Sequence, residues 1–588
     1  MSRNTYFKDE LEFLNEVRDR AASEHWDIAR FLATRGSDPD VERLFEGFAF
    51  LTGRIRQKLD DEFPEIVQSM LAMWWPHYLR PIPAMSILEF KPIVSAFSES
   101  KTVVSGAAVQ SKPVDARRCR FRTVRDAVLH PIALESVRLD DTGAGAELVL
   151  DVSIWPNSRF AEQAQDSLTL YLGDKHERAC DLYRYLMEHT DTVEITLLKQ
   201  GQEVARKMLD GRAIRPIAFA AGESTLPNTQ NVTPGHLGLQ EYFSFAEKYL
   251  FVEIGKMSPI TAQIEPTHAD SMKITVRMRR QLDWDFTRAS NIVRLNCVPI
   301  VNIFDGAAKP IQLDHTRAEY RLLAEATSGM ACELYAIDRV SGFSRSSDQP
   351  REFFAFESFE HHRDETTAPH YHIRYHRRVY DDGVQMSIAF VDPSADALER
   401  SGETLAIQTR CTNGSQANAL DPGDICVSTA TSPEFATFEN VTRPTRYLAP
   451  PLDGSMLWRL VSNMSVNYTT LLETEALRAV LETYDFRGRV DGPAGRRTRR
   501  VLDSLQVDET FPSDRLVKGL PVRGISSQLS VSRSAFQSLG EVYVLGCVLR
   551  EFLDSFSGIN SFHELTFRDR DTDEVFSWPV NTGSGKIL

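Results

Sequence analysis

A short histidine-rich stretch holds the residues best suited to metal chemistry. Five of the chain's 14 histidines lie between positions 361 and 376, namely His361, His362, His370, His372 and His376. Imidazole nitrogens bind zinc, and the side chains of His370, His372 and His376 would share one face of a β-strand. Four arginines in the same stretch would repel a cation: Arg363, Arg374, Arg377 and Arg378. We expect a polar or interfacial strand, and a metal-dependent hydrolase using His361 to His376 is the alternative.

No other grouping of residues indicates catalysis. The segment from Gly583 to Lys586 resembles part of a phosphate-binding loop, but the spaced first glycine, the following Ser or Thr and a subsequent helix are missing. No Gly-x-Ser-x-Gly elbow and no local Cys-His-Asn grouping occur. The basic stretch from Gly495 to Arg500 is interpreted as a solvated loop, with contact to an acidic partner or a phosphate as the alternative. We therefore predict no catalytic residue, no cofactor, no metal ion and no enzymatic activity.

Length, charge and cysteine usage limit the class of protein. At 588 residues the chain exceeds what one hydrophobic core usually supports, so several domains are expected. Its formal net charge of -15 argues against nucleic-acid binding, which needs clustered Lys and Arg. The seven cysteines are scattered without a Cys-x-x-Cys pair, which favours a reducing cytoplasm. Because there is no signal-peptide pattern and no apolar run near about 20 residues, we expect no direct membrane insertion.

The chain between Asp38 and Leu59 has the pattern of a long amphipathic helix. Asp38 suits an N-cap, and Pro39 suits the first helical position. Seven apolar residues recur at steps of three and four and would form one stripe: Val41, Leu44, Phe45, Phe48, Leu51, Ile55 and Leu59. An earlier segment has similar spacing at Phe7, Leu11, Leu14 and Val17. The stripe must pack against another helix, and the sequence leaves open whether that helix belongs to this chain or to a partner.

A helix boundary and a connector are predicted after this stripe. Pro64 favours the first turn of a new helix, so the acidic residues from Asp60 to Glu62 would lie just before a new N-terminus, where negative charge is favourable. Prolines at positions 76, 81 and 83 then predict a rigid, extended connector. The predicted partner interface consists of the seven stripe residues, of Phe7, Leu11 and Leu14, and of four residues at this connector: Trp74, Trp75, Tyr78 and Arg80.

The rest of the chain is predicted to be rich in β-strands, with helices returning near the C-terminus. Apolar patterns predict strands over 86–90, 147–154, 168–172 and 298–304, a helix over 179–186, and helices within 456–481 and 542–556. A loop from Gly222 to Gly238 marks a boundary. We predict an α+β multidomain protein with a helical segment and connector at 1–83, a β-rich domain with a short helix at 84–225, a second β-rich region at 226–450 and a mixed α/β domain at 451–588.

One internal similarity suggests a possible duplication. The segment from Glu241 to Phe245 resembles that from Glu352 to Phe356, because both read as an acidic residue followed by an aromatic-rich run. Two related β modules within 226–450 would explain this similarity. Chance similarity is the favoured alternative, because short aromatic-rich matches arise easily.

Motifs spread along nearly the whole chain match one known family. The N-terminal matches run from Asp38 to Leu51, Lys58 to Pro64 and Pro76 to Pro83. Later matches are Asn296 to Phe304, Leu313 to Arg321, Leu457 to Leu460 with Asn467 and Tyr468, and Gly546 to Leu549 with Gly558 to Phe562. Cys547 and the pair Asp554 and Ser555 depart modestly from the family pattern. On these residues the chain resembles the TssF family of type VI secretion baseplate subunits, also called VasA or ImpG.

This resemblance implies a structural role. Members of the family are similar to contractile-phage wedge proteins, whose N-terminal helices enter a bundle around the central hub. The resemblance implies two TssF-like chains for each TssG, so a second copy of this chain is a partner, with further contacts to TssK, TssE and, as another candidate, the central spike hub. It also implies a cytoplasmic location near the inner membrane and a role in contractile-sheath assembly and effector delivery. A free-standing β-rich protein that binds a peptide or carbohydrate is the remaining alternative.

Overall fold

The computed structural model describes residues 11, 14, 39–156, 166–173, 175–219, 222–228, 233–282, 292–314, 316–325, 332–344, 349–357, 368–378, 383–391, 403–452, 454–464, 471–489, 492–517, 519–558 and 560–580. At 39–42, 45, 53–65, 454–456, 463, 464, 517 and 520 this description covers the backbone only. The chain divides into two compact units. The first combines Met1–Leu79 with Pro451–Met464, and the second combines Arg80–Pro450 with Ser465–Leu588.

The helices and strands are numbered in chain order. The α-helices are α1 (Pro39–Trp74), α2 (His176–Glu188), α3 (Pro234–Ser244), α4 (Ser258–Thr261), α5 (Ile264–Thr267), α6 (Gly454–Met464), α7 (Thr474–Tyr484), α8 (Pro493–Ser504) and α9 (Leu539–Asp554). The first strands are β1 (Met85–Pro92), β2 (Lys101–Val103), β3 (Ala108–Ser111), β4 (Arg120–Thr123), β5 (Ala127–Leu129), β6 (Ile132–Asp141), β7 (Ala146–Ile154), β8 (Leu168–Leu172), β9 (Thr190–Lys199), β10 (Gln202–Asp210), β11 (Ile214–Pro216), β12 (Phe251–Ile254), β13 (Ser271–Met278) and β14 (Val293–Arg294). They are followed by β15 (Cys297–Val301), β16 (Phe304–Leu313), β17 (Tyr320–Arg321), β18 (Glu333–Phe343), β19 (Arg351–Ala355), β20 (His370–Arg377), β21 (Val384–Val391), β22 (Glu403–Thr412), β23 (Ile425–Ser428), β24 (Ala436–Asn440), β25 (Gln506–Val517), β26 (Leu520–Val531), β27 (His563–Asp569) and β28 (Val575–Ser577).

The first unit is built around α1, which packs against α6. Its inner side is marked by Ala49, Val67 and Leu71, all fully buried. The helix begins at Pro39 as predicted, but it continues without interruption through Pro64 to Trp74. The prediction of a new helix at Pro64 is therefore wrong, and the acidic residues from Asp60 to Glu62 lie inside one helix. A proline in a helix costs about 3 kcal/mol, and the burial of Val67 and Leu71 beyond it offsets that cost.

The first part of the segment after α1 does not form the extended connector that the prolines predict, whereas Ile82 further on makes an isolated antiparallel β-bridge with Leu448. Pro76–Tyr78 forms a short 3-10 helix, in which the Leu79 amide donates to the Pro76 carbonyl. His77 and Tyr78 are buried. A proline is well suited to the first position of such a turn because its fixed φ matches the helix and its missing N–H would have no partner there.

The second unit contains a six-stranded antiparallel sheet in the order β23-β3-β4-β15-β1-β24. β1 lies between β15 and β24, with Leu88 opposite Val298 and Phe90 opposite Phe438. At the end of this sheet, the fully buried Asn302 accepts hydrogen bonds from the Thr412 hydroxyl and the Asn413 amide. Segments that are far apart in sequence are thereby tied together by a buried amide side chain whose hydrogen bonds are made within the chain.

The other large sheets are five-stranded (β10-β9-β13-β7-β6) and seven-stranded (β16-β22-β18-β19-β20-β21-β17). The predicted strands at 86–90, 147–154, 168–172 and 298–304 match β1, β7, β8 and β15 closely, with Phe304 beginning β16. The duplication hypothesis is wrong. Residues 241–244 belong to helix α3, whereas 352–355 belong to strand β19, so the two similar segments adopt different structures. The predicted loop at Gly222 also ends earlier than Gly238, because α3 begins at Pro234.

The C-terminal part of this unit surrounds α9, which packs on α2, on α3 and on β27. α9 and α2 approach closely at Gly540, where an added Cβ would lie 2.2 Å from the Asp181 amide nitrogen. The stretch from Gly495 to Arg500 lies in helix α8, so its interpretation as a loop is wrong. Arg497 forms an ion pair with the buried carboxylate of Glu541 on α9. One of the four arginines in this stretch is therefore neutralised within the chain and needs no acidic partner.

The α+β multidomain fold class is confirmed, whereas the four predicted domain boundaries remain predictions. Among the helices that the structure describes, none has both the length and the apolar composition that a membrane span requires.

Candidate functional site

The strongest candidate site is an exposed apolar stripe on α1. Leu44, Phe48 and Leu51 are 63%, 57% and 58% exposed, respectively. At 3.6 residues per turn, these three side chains leave the helix within an arc of about 60°. The same helix buries Ala49, Val67 and Leu71, which lie on a different arc. The helix therefore has two apolar faces. The face predicted from the sequence, which holds Leu44, Phe48 and Leu51, points away from the core of its unit.

The other predicted stripe residues are covered only in part by the structure. Leu11 and Leu14 are helical and half-buried. The side chains of Val41, Phe45, Ile55 and Leu59 are not described, and Phe7 and Val17 lie outside the described residues. Their participation in an interface remains a prediction.

Sequence reasoning missed one member of the stripe. Ile66 is 61% exposed and lies on the same arc as Phe48, five turns further along α1. The apolar spacing would have identified it if the helix had been continued through Pro64. Because the stripe spans the proline, a partner helix would contact α1 on both sides of it.

The predicted connector residues occupy different environments. In the first unit, Trp74 and Trp75 are half-buried, and the Trp75 and Tyr78 rings lie 5.7 Å apart between centroids. In the second unit, the Arg80 guanidinium lies 5.7 Å from the centroid of the buried Tyr335 ring. Arg80 and Tyr78 therefore make contacts inside the chain, and their predicted contact with a partner remains untested.

The histidine-rich segment does not assemble a metal site among the described residues. His370, His372 and His376 lie on β20 as predicted, while His361 and His362 lie outside the described residues. The His372 Nδ1 contacts the Glu357 carboxylate, and the His376 Nε2 lies 3.8 Å from the Glu319 carboxylate, which also pairs with Arg374. His370 lies edge-to-face with Phe356, with ring centroids 6.3 Å apart. Within the described ranges, no three His, Cys, Asp or Glu residues are placed to hold a metal ion.

We expect purified protein to contain far less than one zinc ion per chain. His372 and His376 have separate carboxylate partners, and the Arg374 guanidinium adds positive charge between them. Elemental analysis after dialysis against metal-free buffer would measure the zinc content. One zinc ion per chain, lost in the variant His372→Ala, would contradict this expectation and support the hydrolase alternative.

Buried ionic groups elsewhere pair within the chain, which is typical of structural residues. Lys248 and Glu241 form an ion pair in which both side chains are almost completely buried. Arg184, which is 1% exposed, pairs with Glu574 at 2.8 Å. Burial raises the pKa of Glu188 to about 7, and the nearby Arg184 opposes that rise. Because buried charges are retained when they are paired, the two ion pairs need no substrate to explain them.

Comparison with known proteins agrees with a role in assembly. A model of the family described as "Type VI secretion system, TssF" matches residues 2–585. The chain is 26% identical to the type VI secretion system component TssF1 of Pseudomonas aeruginosa, with 98% of each chain covered. It is similar to a chain in a solved TssK-TssF-TssG baseplate subcomplex, with a TM-score of 0.77, 26% identity and coverage of 92% of this chain and 98% of that chain.

A second solved structure, of the type VI secretion baseplate complex, contains a chain with the same fold. The TM-score is 0.64 at 23% identity, covering 99% of this chain and 100% of the other. The family match covers every motif on which the resemblance was based, from Asp38 to Phe562. The chain therefore belongs to the TssF family of the type VI secretion system.

Proposed function

We propose that this chain is a non-catalytic structural subunit of the type VI secretion baseplate wedge and that the α1 stripe is its principal docking surface. The observation that carries this proposal is the exposure of Leu44, Phe48 and Leu51 on one arc of α1. Burying a large apolar side chain contributes about 1.5 to 3 kcal/mol, so a partner helix covering all three would gain substantial free energy. A helix with an exposed apolar stripe is a common recognition element for another helix.

The proposed partner for this stripe is a TssG-like protein. The solved subcomplex to which this chain is similar contains TssK and TssG beside TssF. We extend that composition to this chain, with two copies of it for each TssG-like chain. TssK-like and TssE-like proteins and the central spike hub are further proposed partners, and the assembly would lie in the cytoplasm near the inner membrane.

The absence of catalysis is part of the proposal and has a physical basis. The histidines of β20 contact carboxylates or an aromatic ring of the same chain, and the buried ion pairs are satisfied internally. A structural subunit needs no group held ready for a substrate. The hydrolase alternative would need a metal ion at β20, and the zinc measurement described above tests it.

Co-expression with TssG-like and TssK-like proteins tests the proposed function. We expect native mass spectrometry to detect a mixed complex of fixed composition that contains two copies of the 66.5 kDa chain. A free-standing binding protein would instead remain a 66.5 kDa monomer in the presence of both proteins, and that result would contradict the proposal. The chain expressed alone is the control for self-association.

A further inference from the structure

The surface of helix α8 carries positive charge that internal contacts explain only in part. Between Arg487 and Asp503 the sequence has six arginines and two aspartates, a formal charge of +4 in a chain of net charge -15. Arg497 is neutralised by the buried carboxylate of Glu541. Three other arginines of this helix are exposed to solvent, and we name them the α8 arginine face: Arg496, Arg499 and Arg500.

The α8 arginine face lies on one side of its helix. At 3.6 residues per turn, the three side chains leave the helix axis within an arc of about 100°. The residues that α8 buries lie outside that arc, namely Gly495, Val501 and Leu502. One side of the helix therefore packs on the larger unit, and the other side presents guanidinium groups to solvent.

No carboxylate of the described residues neutralises this face. Within the described part of the chain, none of its three guanidinium groups forms an ion pair. Arg496 and Arg500 also make no side-chain hydrogen bond there, whereas the Arg499 Nε donates to the Gly488 carbonyl at 2.6 Å. Asp503 is exposed on the same arc about one turn further along, so the arc keeps a net charge of +2.

These cations also occupy positions that a helix disfavours. Arg496 ends the first turn of α8, which has no acidic side chain, and the N-cap Gly492 makes no side-chain capping hydrogen bond. The free amide groups give a helix N-terminus a partial positive charge, so nearby arginines are repelled. An acidic ligand on this face would be attracted both by the arginines and by the helix dipole. A local preference that is broken without an internal gain is typical of a functional surface.

The composition of α8 favours a protein ligand over a nucleic acid. Nucleic-acid binding without sequence preference uses a long basic groove and aromatic side chains on which bases stack. The face has only three arginines, and the sequence of α8 contains no aromatic residue. Arginine forms paired hydrogen bonds with a carboxylate, so acidic side chains of a protein are well suited to this face.

The spacing of the arginines matches an extended acidic segment. Arg496 and Arg500 are four residues apart, which corresponds to a rise of about 6 Å along the helix. In an extended segment, side chains on alternate residues point to the same side and lie about 7 Å apart. Two glutamates separated by one residue therefore reach both guanidinium groups at once.

We propose that the α8 arginine face binds an extended acidic segment of another protein, with carboxylates on alternate residues. Arg496 and Arg500 each donate two hydrogen bonds to one carboxylate, and Arg499 adds positive charge beside them. All three arginines belong to the unit Arg80–Pro450 with Ser465–Leu588, so this site is separate from the stripe on α1. It needs neither a TssG-like partner nor an assembled baseplate.

Three labelled ligands test the proposal on the full-length chain. The acidic peptide is Ser-Glu-Ser-Glu-Ser-Glu-Ser with blocked ends, and in the neutral peptide Gln replaces each Glu. Tetrathymidylate carries the same negative charge on phosphates. At 0.15 M salt, where the Debye length is about 8 Å, fluorescence anisotropy should show at least about tenfold tighter binding of the acidic than of the neutral peptide. Equal binding of the two peptides, or binding of tetrathymidylate at least as tight as that of the acidic peptide, would overturn the proposal.

A double variant and a matched control identify the surface that binds. Arg496→Ala with Arg500→Ala should weaken binding of the acidic peptide at least about tenfold, because it removes both paired contacts. Arg117→Ala with Arg118→Ala removes the same charge from exposed residues outside α8 and should change binding less than about twofold. Because alanine favours a helix, the urea unfolding midpoint of the first variant should stay the same or rise.

The outcomes of these variants are decisive. Unchanged binding in Arg496→Ala with Arg500→Ala, or equal weakening in the control variant, would contradict the proposal. Sedimentation of the unmodified chain at the same salt concentration tests a second copy as the occupant. If the chain self-associates and Arg496→Ala with Arg500→Ala abolishes this association, a second copy covers the face and the proposal of a separate protein is wrong.

Discussion

The variant Phe48→Asp is expected to lose co-purification with a TssG-like partner. Phe48 is 57% exposed at the centre of the α1 stripe, between Leu44 and Leu51. Truncation of a hot-spot aromatic residue near the centre of an interface costs about 2 kcal/mol or more, and a buried carboxylate without a partner adds to that cost. We expect an affinity loss of roughly a hundredfold or more, corresponding to about 3 kcal/mol. Co-purification through a tag on the TssG-like chain would measure this loss.

The neighbouring variant Phe50→Asp is a closely matched control. Phe50 is 56% exposed on the same helix, but it leaves the axis about 160° away from Phe48. Both substitutions exchange the same residue types at equal exposure, so they have similar effects on helix propensity and on net charge. We expect Phe50→Asp to retain the complex. An intact complex with Phe48→Asp, or equal loss with Phe50→Asp, would show that the stripe is not the docking surface.

The variant Lys248→Met is expected to destabilise the larger unit by about 3 to 5 kcal/mol, because it leaves a buried carboxylate without its cation. Lys248 and Glu241 are 4% and 0% exposed. Glu241 also accepts a hydrogen bond from the Leu226 amide at 2.8 Å, so the carboxylate anchors the turn before α3. The shift of the urea unfolding midpoint, followed by circular dichroism, would measure this loss.

An exposed ion pair supplies the control for Lys248→Met. Lys91 and Glu439 lie 2.6 Å apart, with side chains 53% and 43% exposed. Surface ion pairs contribute at most about 1 kcal/mol, so Lys91→Met should scarcely change the midpoint. The double variant Lys248→Met with Glu241→Gln should recover part of the lost stability, because it removes the unpaired charge. Similar midpoints for Lys248→Met and Lys91→Met would contradict the structural role of the buried pair.

Local patterns predicted two helices correctly without indicating how deeply they are buried. The helix from His176 to Glu188 and the helix from Leu539 to Asp554 both follow the apolar spacing, yet consecutive residues are buried on all sides of each, over 179–186 and 539–549. The strand Ala146–Ile154 likewise follows alternation along its sequence. These predictions succeed because the spacing of apolar residues distinguishes a helix from a strand.

The wrong predictions share a physical cause. A break at Pro64 and a loop at Gly495 were inferred from a few neighbouring residues, as was the less favoured hypothesis of paired β modules at Glu241 and Glu352. In the structure, packing beyond Pro64 maintains the helix, the Arg497 contact with Glu541 accompanies helix α8, and α3 and β19 form in different surroundings. Tertiary contacts outweigh local preferences of only a few kcal/mol.

The sequence by itself was enough to identify the family and the fold class and to predict an apolar stripe from Val41 to Leu59, because these depend on long motifs and on a periodicity that repeats over several turns. Only the tertiary structure decided that Leu44, Phe48 and Leu51 remain exposed while Ala49 is buried, since periodicity identifies an apolar face without stating what covers it. The same limit applies to the cleft that Tyr183, Arg212 and Trp578 line. These residues come from segments up to more than 300 residues apart, so no local pattern could place them around one space.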